Sequence, residues 1–299
     1  MSGKPSRMAA AWRQHERRWK DNRYVYAVVS RRSGGVSIGI NLNPDKGCNF
    51  NCIYCQVNRN TSSPVRRVDL QKLAEELDLI LQSESDGSLY TEPPFSALFV
   101  AERGIRDIAF SGDGEPTTFP RFEDAVRIAA LATQRFALES AKLVLLTNAV
   151  YLTNPDVRAA LAVLGENKGE IWAKLDAGTE EYFRLVNRPN VTLQTVLGNI
   201  LDAARVRPVV IQSLWHRING IVPTVEEIRS YCDRLNSLMA SGGLLKTIQL
   251  HTIARNPAEA FVSALSDDEL DRIASLVSTR VPAPVEVCYG TRDVSGLEN

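Results

Sequence analysis

Lys46-Gly47-Cys48-Asn49-Phe50-Asn51-Cys52-Ile53-Tyr54-Cys55 decides how this chain is read. Three of the five cysteines fall in this run, spaced C-x3-C-x2-C. Thiolates set this close share a metal, form a strained disulfide or sit idle. They are soft ligands, which select zinc or iron–sulfur clusters. Iron–sulfur clusters and many structural zinc sites take four thiolates. This run supplies three, and Cys232 and Cys288 are distant and solitary. A three-ligand site keeps one metal position open for a substrate or cofactor, which points to catalysis rather than structure.

The residues before the run place it in a fold. Val36-Ser37-Ile38-Gly39-Ile40-Asn41-Leu42 alternates apolar with polar or small residues and then meets Asn43-Pro44, the pattern of a strand ending in a loop. The cysteines thus follow a strand directly, where β/α barrels carry their active-site residues. Residues 65–82 have helical spacing, with Leu70, Leu73, Leu77, Ile80 and Leu81 on one side. Residues 83–94 read as a polar loop and 95–100 as a continuing helix. A second strand, 106–110, runs into Ser111-Gly112-Asp113-Gly114-Glu115-Pro116-Thr117. The glycines there allow close backbone approach to a ligand, and Pro116 ends the ladder.

The alternation continues to the C-terminal part of the chain. A helix over 121–135 precedes a third strand, 142–148, whose polar end Asn148 points to the top of the barrel. Asn154-Pro155 opens a helix through 164. In a fourth strand, 170–178, Lys174 and Asp176 share one face and must be paired or ligand-facing. A fifth strand, 208–214, presents Gln212 and Ser213. The helix over 224–238 starts with a capping box of Thr224 and Glu227. A sixth strand, 246–253, sets Gln249, His251 and Ile253 on one face. His251 is a candidate proton donor or substrate contact, or a satisfied structural histidine. The loop from Arg255 is placed to cover the barrel mouth. A helix over 266–277 and a strand over 284–290 close the chain, with Cys288 as a small buried hydrophobe. Six strand–helix alternations predict a parallel sheet with right-handed crossovers.

Composition sets the outer bounds. The 299 residues carry 35 Lys and Arg against 35 Asp and Glu, and 44% are hydrophobic. That suffices for a sizeable core and gives no overall bias toward polyanions. Clustered cysteines do not make a disulfide framework and fit a reducing compartment. Residues 1–23 lack the apolar core of a signal peptide, and no run reaches the length needed to span a bilayer. The expected location is cytoplasmic, with no membrane partner. Residues 1–35 are basic, and Trp12 and Trp19 lie on one face of an expected short helix. Two readings stand: a nucleic-acid contact, or a solvated helix docking its Trp face on the barrel.

The cysteine run resembles the cluster loop of the radical S-adenosylmethionine (radical SAM) superfamily, C-x3-C-x-aromatic-C, with Tyr54 at the aromatic position. Gly112-Asp113-Gly114-Glu115-Pro116 resembles the family's GGE motif, and Lys174 to Pro189 resembles the subgroup of wyosine-type tRNA-modification enzymes. The resemblance implies an α/β fold, a partial (β/α)6 barrel over 36–260. A helical extension over 1–35 would precede it, and 261–299 would pack on it as a helix and a strand. It implies Cys48, Cys52 and Cys55 as ligands of a [4Fe–4S] cluster whose fourth iron chelates S-adenosyl-L-methionine. Tyr54 would pack near the adenine, and Asp113, Gly114 and Glu115 would meet the methionine ammonium. Lys174 and Asp176 would reach ribose and carboxylate, with Asn148 and Gln212 nearby. The fifth strand lacks the family's GxIxGxxE signature, which leaves Gln212 without a motif behind it.

The chemistry so implied is reductive cleavage of S-adenosylmethionine to methionine and a 5′-deoxyadenosyl radical that abstracts hydrogen from substrate. A flavodoxin- or ferredoxin-type partner would supply the electron. RNA modification is the substrate reading that the subgroup resemblance and the basic N-terminus favour. Glycyl-radical activation and peptide or small-molecule modification are the alternatives. An iron–sulfur carrier, a sensor or a zinc-stapled module are the non-enzymatic ones.

Overall fold

The computed structural model describes residues 19–255 and 257–290. An eight-stranded sheet is curled into a half-barrel, in the order β1 (Val25–Ser30), β2 (Gly35–Ile40), β3 (Ile105–Phe110), β4 (Lys142–Thr147), β5 (Glu170–Lys174), β6 (Val209–Leu214), β8 (Leu245–His251) and β10 (Val285–Cys288). From β2 to β10 every neighbouring pair is parallel. Only β1 runs against its neighbour, with Val25 opposite Ile40 and Ser30 opposite Gly35. A separate antiparallel ribbon joins β7 (His216–Ile218) to β9 (Val262–Ala264).

Seven helices lie among the described residues: α1 (Leu70–Ser85), α2 (Phe122–Arg135), α3 (Pro155–Glu166), α4 (Glu180–Asn187), α5 (Leu193–Val206), α6 (Val225–Ala240) and α7 (Asp267–Arg280). Asp69, Asn154, Thr179, Thr192, Thr224 and Ser266 each accept a first-turn N–H of their helix, relieving donors the helix itself cannot pair. The helices cover the convex face. There Ile38, Ile108, Phe110, Leu143, Leu145, Ile171, Ile211 and Ile248 join Leu73, Leu77, Ala129, Leu164, Ile200 and Leu235 in one continuous core.

The concave face is different in kind. Its apolar centre is small, Ala109, Val144, Trp172 and Val210. Around it stand buried polar groups: Ser37, Asp107, Gln212, Gln249 and His251. All but His251, whose Nδ1 has no partner among the described residues, are paired, as burial demands. Ser37 Oγ donates to Asp107 at 2.5 Å, Gln212 Nε2 donates to Gln249 Oε1 at 2.7 Å, and Gln249 Nε2 donates to Glu286 Oε2 at 3.0 Å.

The half-barrel and the six strands expected of it are present, the expected strand over 284–290 joins the same sheet as β10, and three further expectations are corrected. Residues 25–30, expected within a basic helical extension, form β1, an edge of the sheet. Residues 95–100 are not a helix but short 3-10 turns, Phe95–Ala97 and Val100–Glu102, because Pro93 and Pro94 precede them and apolar spacing covers less than two turns. The Thr224–Glu227 box is half formed. Thr224 accepts from the Glu227 N–H at 3.1 Å, but the Glu227 carboxylate turns away to Gly178 N–H at 2.5 Å and Thr179 Oγ1 at 2.6 Å. Helix α5 and the β7–β9 ribbon went unread. Trp12 and most of its expected helix lie outside the described residues.

No helix among the described residues is long and apolar enough to cross a membrane.

Candidate functional site

The cysteine run leaves β2 and crosses the C-terminal ends of the strands. Backbone bonds tie it to the end of α4: Asn51 N–H to Asn187 O at 3.2 Å and Ile53 N–H to Val186 O at 2.9 Å. Ile53 is buried with Val186, Ile253 and Val262, and Phe50 meets Phe183 edge to face at 5.6 Å. Ile53 and Phe50, between the cysteines, thus anchor the loop. Cys48, Cys52 and Cys55 are free and partly exposed. All three open onto one cavity of about 150 Å³, together with Asp113, Gly114, Asn148, Lys174 and Asn187.

The loop after β3 packs directly under the cysteine run. A Cβ on Gly114 would overlap the Gly47 carbonyl oxygen, so only glycine allows this approach. Arg59 locks the two loops together. It donates to the carbonyls of Lys46 and Asp113, the latter at 3.0 Å, and approaches Cys55 Sγ at 3.6 Å. Asn41 Nδ2 holds Asp113 Oδ2 at 2.8 Å.

Glu115 is a brace. Its carboxylate accepts Thr117 N–H at 3.2 Å, Thr117 Oγ1 at 2.6 Å, Thr147 Oγ1 at 2.7 Å and Asn148 N–H at 2.8 Å. Burial pushes its carboxyl up, and these donors oppose the rise. It fixes Asn148, whose Nδ2 donates to Asn49 Oδ1 at 2.7 Å.

Lys174 and Asp176 form an ion pair of 2.9 Å. Asp176 is enclosed and also accepts Tyr54 O–H at 2.5 Å, Asn187 Nδ2 at 3.0 Å and Leu214 N–H at 2.8 Å. Burial alone would raise its carboxyl; the Lys174 ammonium and these donors outweigh burial and hold it below the usual Asp range. Burial, then the Asp176 charge, raise the Tyr54 phenol far above its ordinary value, so Tyr54 stays a donor. The Lys174 ammonium lies over the Tyr54 ring, 5.3 Å from its centroid. Asn187 also approaches Cys52 Sγ at 3.5 Å, so the ion pair and the thiol loop share one network. Burial pushes the Cys52 thiol up to about 12 and raises Cys48; deprotonating them calls for a compensating cation.

The structure therefore brings Tyr54, Asp113, Gly114, Glu115, Asn148 and Lys174 to one cavity with the three cysteines. Asp176 sits behind Lys174. Gln212 is level with Lys174 on β6, its amide bonded to Gln249 and to Arg32 Nη1, the latter at 2.9 Å. His251 lines a second cavity of about 210 Å³ that shares Tyr54, Cys55, Leu146 and Lys174 with the first.

Two residues at the site, His216 and Arg59, are not among those expected from the sequence. His216 packs its ring on Tyr54 at 5.6 Å, and burial lowers its pKa to about 4. Neither ring nitrogen of His216 has a partner among the described residues. Arg59 carried one available signal, its place four residues beyond the last cysteine; His216 carried none.

No family model matches the chain. It is 22% identical over 272 residues to the GTPase Obg of Brachyspira hyodysenteriae, an alignment covering 90% of this chain and 35% of that protein. The chain thus spans about a third of the length of that relative. It is 25% identical over 248 residues to a UPF0026 protein of Helicobacter pylori, covering 82% and 71% of the two chains. A UPF0026 protein of Methanocaldococcus jannaschii is 28% identical over 178 residues, covering 60% and 47%. Among solved structures, archaeal TYW1 superposes with a TM-score of 0.46 at 14% identity, over 83% of this chain and 73% of that one. BtrN, in complex with AdoMet and 2-DOIA, superposes with a TM-score of 0.28 at 18% identity, over 50% and 49%.

Proposed function

We propose that this chain is a radical SAM enzyme whose Cys48, Cys52 and Cys55 hold three irons of a [4Fe–4S] cluster. One observation carries the reading: three free thiols, the Gly112–Glu115 loop, Asn148 and Lys174 converge on one cavity at the C-terminal ends of parallel strands. Among the described residues no three Cys, His, Asp or Glu side chains stand close enough to hold a single ion. A [4Fe–4S] cluster takes one thiolate per iron, so three thiolates leave one iron open to a further ligand. When bound, the cluster and S-adenosylmethionine would supply a 5′-deoxyadenosyl radical, with a flavodoxin- or ferredoxin-type donor as the electron source.

The chain's own residues would do the positioning. The backbone at Asp113 and Gly114, held by Arg59 and Asn41, would accept the methionine ammonium. Lys174, oriented by Asp176, would meet the carboxylate. Tyr54, locked by the same carboxylate, would pack near the adenine. Glu115 and Gln212 would act through Asn148 and Arg32 rather than by direct contact. Arg59 beside Cys55 Sγ would offset part of the cluster's negative charge. The GTPase name borne by one relative finds no G-x4-G-K-[S/T] phosphate loop in this sequence. RNA modification remains the first reading of the reaction, with protein activation or small-molecule modification as alternatives.

Anoxic reconstitution of single variants tests the ligand set. Cys48→Ala, Cys52→Ala and Cys55→Ala should each lose most of the bound iron and the visible cluster absorbance. Cys232→Ala and Cys288→Ala should retain both. Full iron retention in any of the first three, or its loss in either of the last two, contradicts the assignment.

A further inference from the structure

The three thiols meet three kinds of hydrogen-bond donor. Cys48 faces the backbone N–H of Phe50. Cys52 Sγ lies 3.5 Å from the Asn187 amide nitrogen, and Cys55 Sγ lies 3.6 Å from Arg59 Nη2. Other backbone donors of the run are engaged elsewhere. Asn51 and Ile53 give their N–H groups to the carbonyls of Asn187 and Val186, and Cys55 gives its own to the Cys52 carbonyl. The Tyr54 hydroxyl, the other polar neighbour of Cys52, donates its proton to Asp176 at 2.5 Å.

Asn187 is built into this position. It ends α4, and Arg188 after it adopts a left-handed conformation at φ 42°. Its side chain is buried, and Nδ2 has three acceptors in reach: Asp176 Oδ2 at 3.0 Å, Tyr54 Oη at 3.4 Å and Cys52 Sγ at 3.5 Å. The amide is fixed in this sense, because turning it over would set Oδ1 against the Asp176 carboxylate. Oδ1 itself has no partner among the described residues. A buried acceptor left unpaired costs stability, so what Asn187 contributes is its two donors. One hydrogen goes to Asp176. Tyr54 Oη and Cys52 Sγ compete for the second, and a thiolate, being charged, is the stronger acceptor.

We propose that Asn187 donates to the Cys52 thiolate and thereby raises the reduction potential of a cluster held there. That cluster is the one of the radical SAM reading, on which this role of Asn187 rests. Reduction takes one electron from an external donor, and the added charge spreads onto the thiolate sulfurs. A donor aimed at a sulfur stabilises the reduced state more than the oxidised one, so the potential rises. Asn187 is therefore a positioning residue that acts through Cys52.

An EPR-monitored redox titration of the anoxically reconstituted full chain tests this. Asn187→Leu keeps the branched shape and removes both donors. At a fixed ambient potential its ratio of reduced to oxidised cluster should fall about tenfold, which is a midpoint about 59 mV more negative for one electron, with iron content unchanged. Asn187→Asp, of nearly the same shape, keeps the test decisive should Asn187→Leu fail to fold. Ionised, it adds negative charge beside the sulfur; protonated, it gives its one proton to Asp176; its midpoint falls either way. Val186→Ala loosens the same helix end without removing a donor and should keep the wild-type midpoint. A shift in Val186→Ala as large as that in Asn187→Leu would assign the effect to loop packing and overturn the proposal. Wild-type midpoints in both Asn187 variants also overturn it, as does loss of iron from both, which would make Asn187 a brace of the loop. Lowered midpoints in a protein whose wild type cleaves no S-adenosylmethionine would sink the enzymatic reading alone. A wild type that takes up no cluster would sink both.

Discussion

At the scale of single residues, Asp176 holds the site together. It takes the Lys174 ammonium, the Tyr54 hydroxyl, the Asn187 amide and the Leu214 N–H on two oxygens. Asp176→Ala leaves a mostly buried cation and three donors without their acceptor, so it should destabilise the fold by about 3 kcal/mol. It should also weaken S-adenosylmethionine binding while iron is retained. Lys174→Met/Asp176→Leu should lose less stability than Asp176→Ala, because no charge is stranded. Since the Asp176 carboxyl is held below its ordinary 3.8, its contribution is complete above that value and fades as pH falls through the lower folded one. The stability gap to Asp176→Ala should therefore be flat from about pH 5 upward. Urea unfolding with and without S-adenosylmethionine checks all of this; an Asp176→Ala protein with unchanged stability and affinity would remove Asp176 from the account. Sequence alone set Lys174 and Asp176 on one face, and left open whether they face a ligand or each other. The pairing is settled by Tyr54 and Leu214, which approach from 122 and 38 residues away, beyond the reach of local pattern.

Among the elements that the sequence hid, β1 matters most to the sheet, because it forms one of its edges. Tyr24 to Val29 is a continuous apolar run buried on both faces, and the basic residues that flank it, Arg23, Arg31 and Arg32, fold it into the reading of a basic extension. Its start is fastened by Glu76 of α1, whose carboxylate accepts the N–H groups of Arg23 at 2.9 Å, Tyr24 at 2.8 Å and Val25 at 3.1 Å. Glu76→Ala would leave three donors, two of them buried, unpaired and should cost about 3 kcal/mol; Glu76→Gln, which keeps one acceptor oxygen, should cost roughly half of that. Chemical denaturation measures both, and an alanine variant within about 0.5 kcal/mol of wild type would show that β1 is held by packing alone. The remaining strands were legible because each joins an apolar run to a polar end. The cysteine and Gly-Asp-Gly-Glu loops were legible because their chemistry is local in sequence.

On the scale of the whole molecule, two unlike faces of one sheet divide the work. The convex face buries aliphatic side chains under helices and supplies stability. The concave face trades that for paired polar groups and ends in the thiol cavity. Neither the bridging of the barrel's open side by Arg31 nor the reach of Arg32 to Gln212, 180 residues on, is visible before the sheet curls. The basic charges near the N-terminus, read along the chain, suggested a solvated face or a nucleic-acid contact. In the fold, Arg32 turns inward to the buried Gln212, and Arg31 reaches across to Tyr289.

In the proposed function, the three thiols and the loops around them would hold a reduced cluster that supplies the electron for cleaving a sulfonium. Anoxically reconstituted protein, reduced with dithionite and given S-adenosylmethionine, is predicted to yield methionine and 5′-deoxyadenosine, with none formed by Cys52→Ala. Intact S-adenosylmethionine from protein that holds a full iron–sulfur complement, or a native preparation carrying zinc at these thiols, would contradict it.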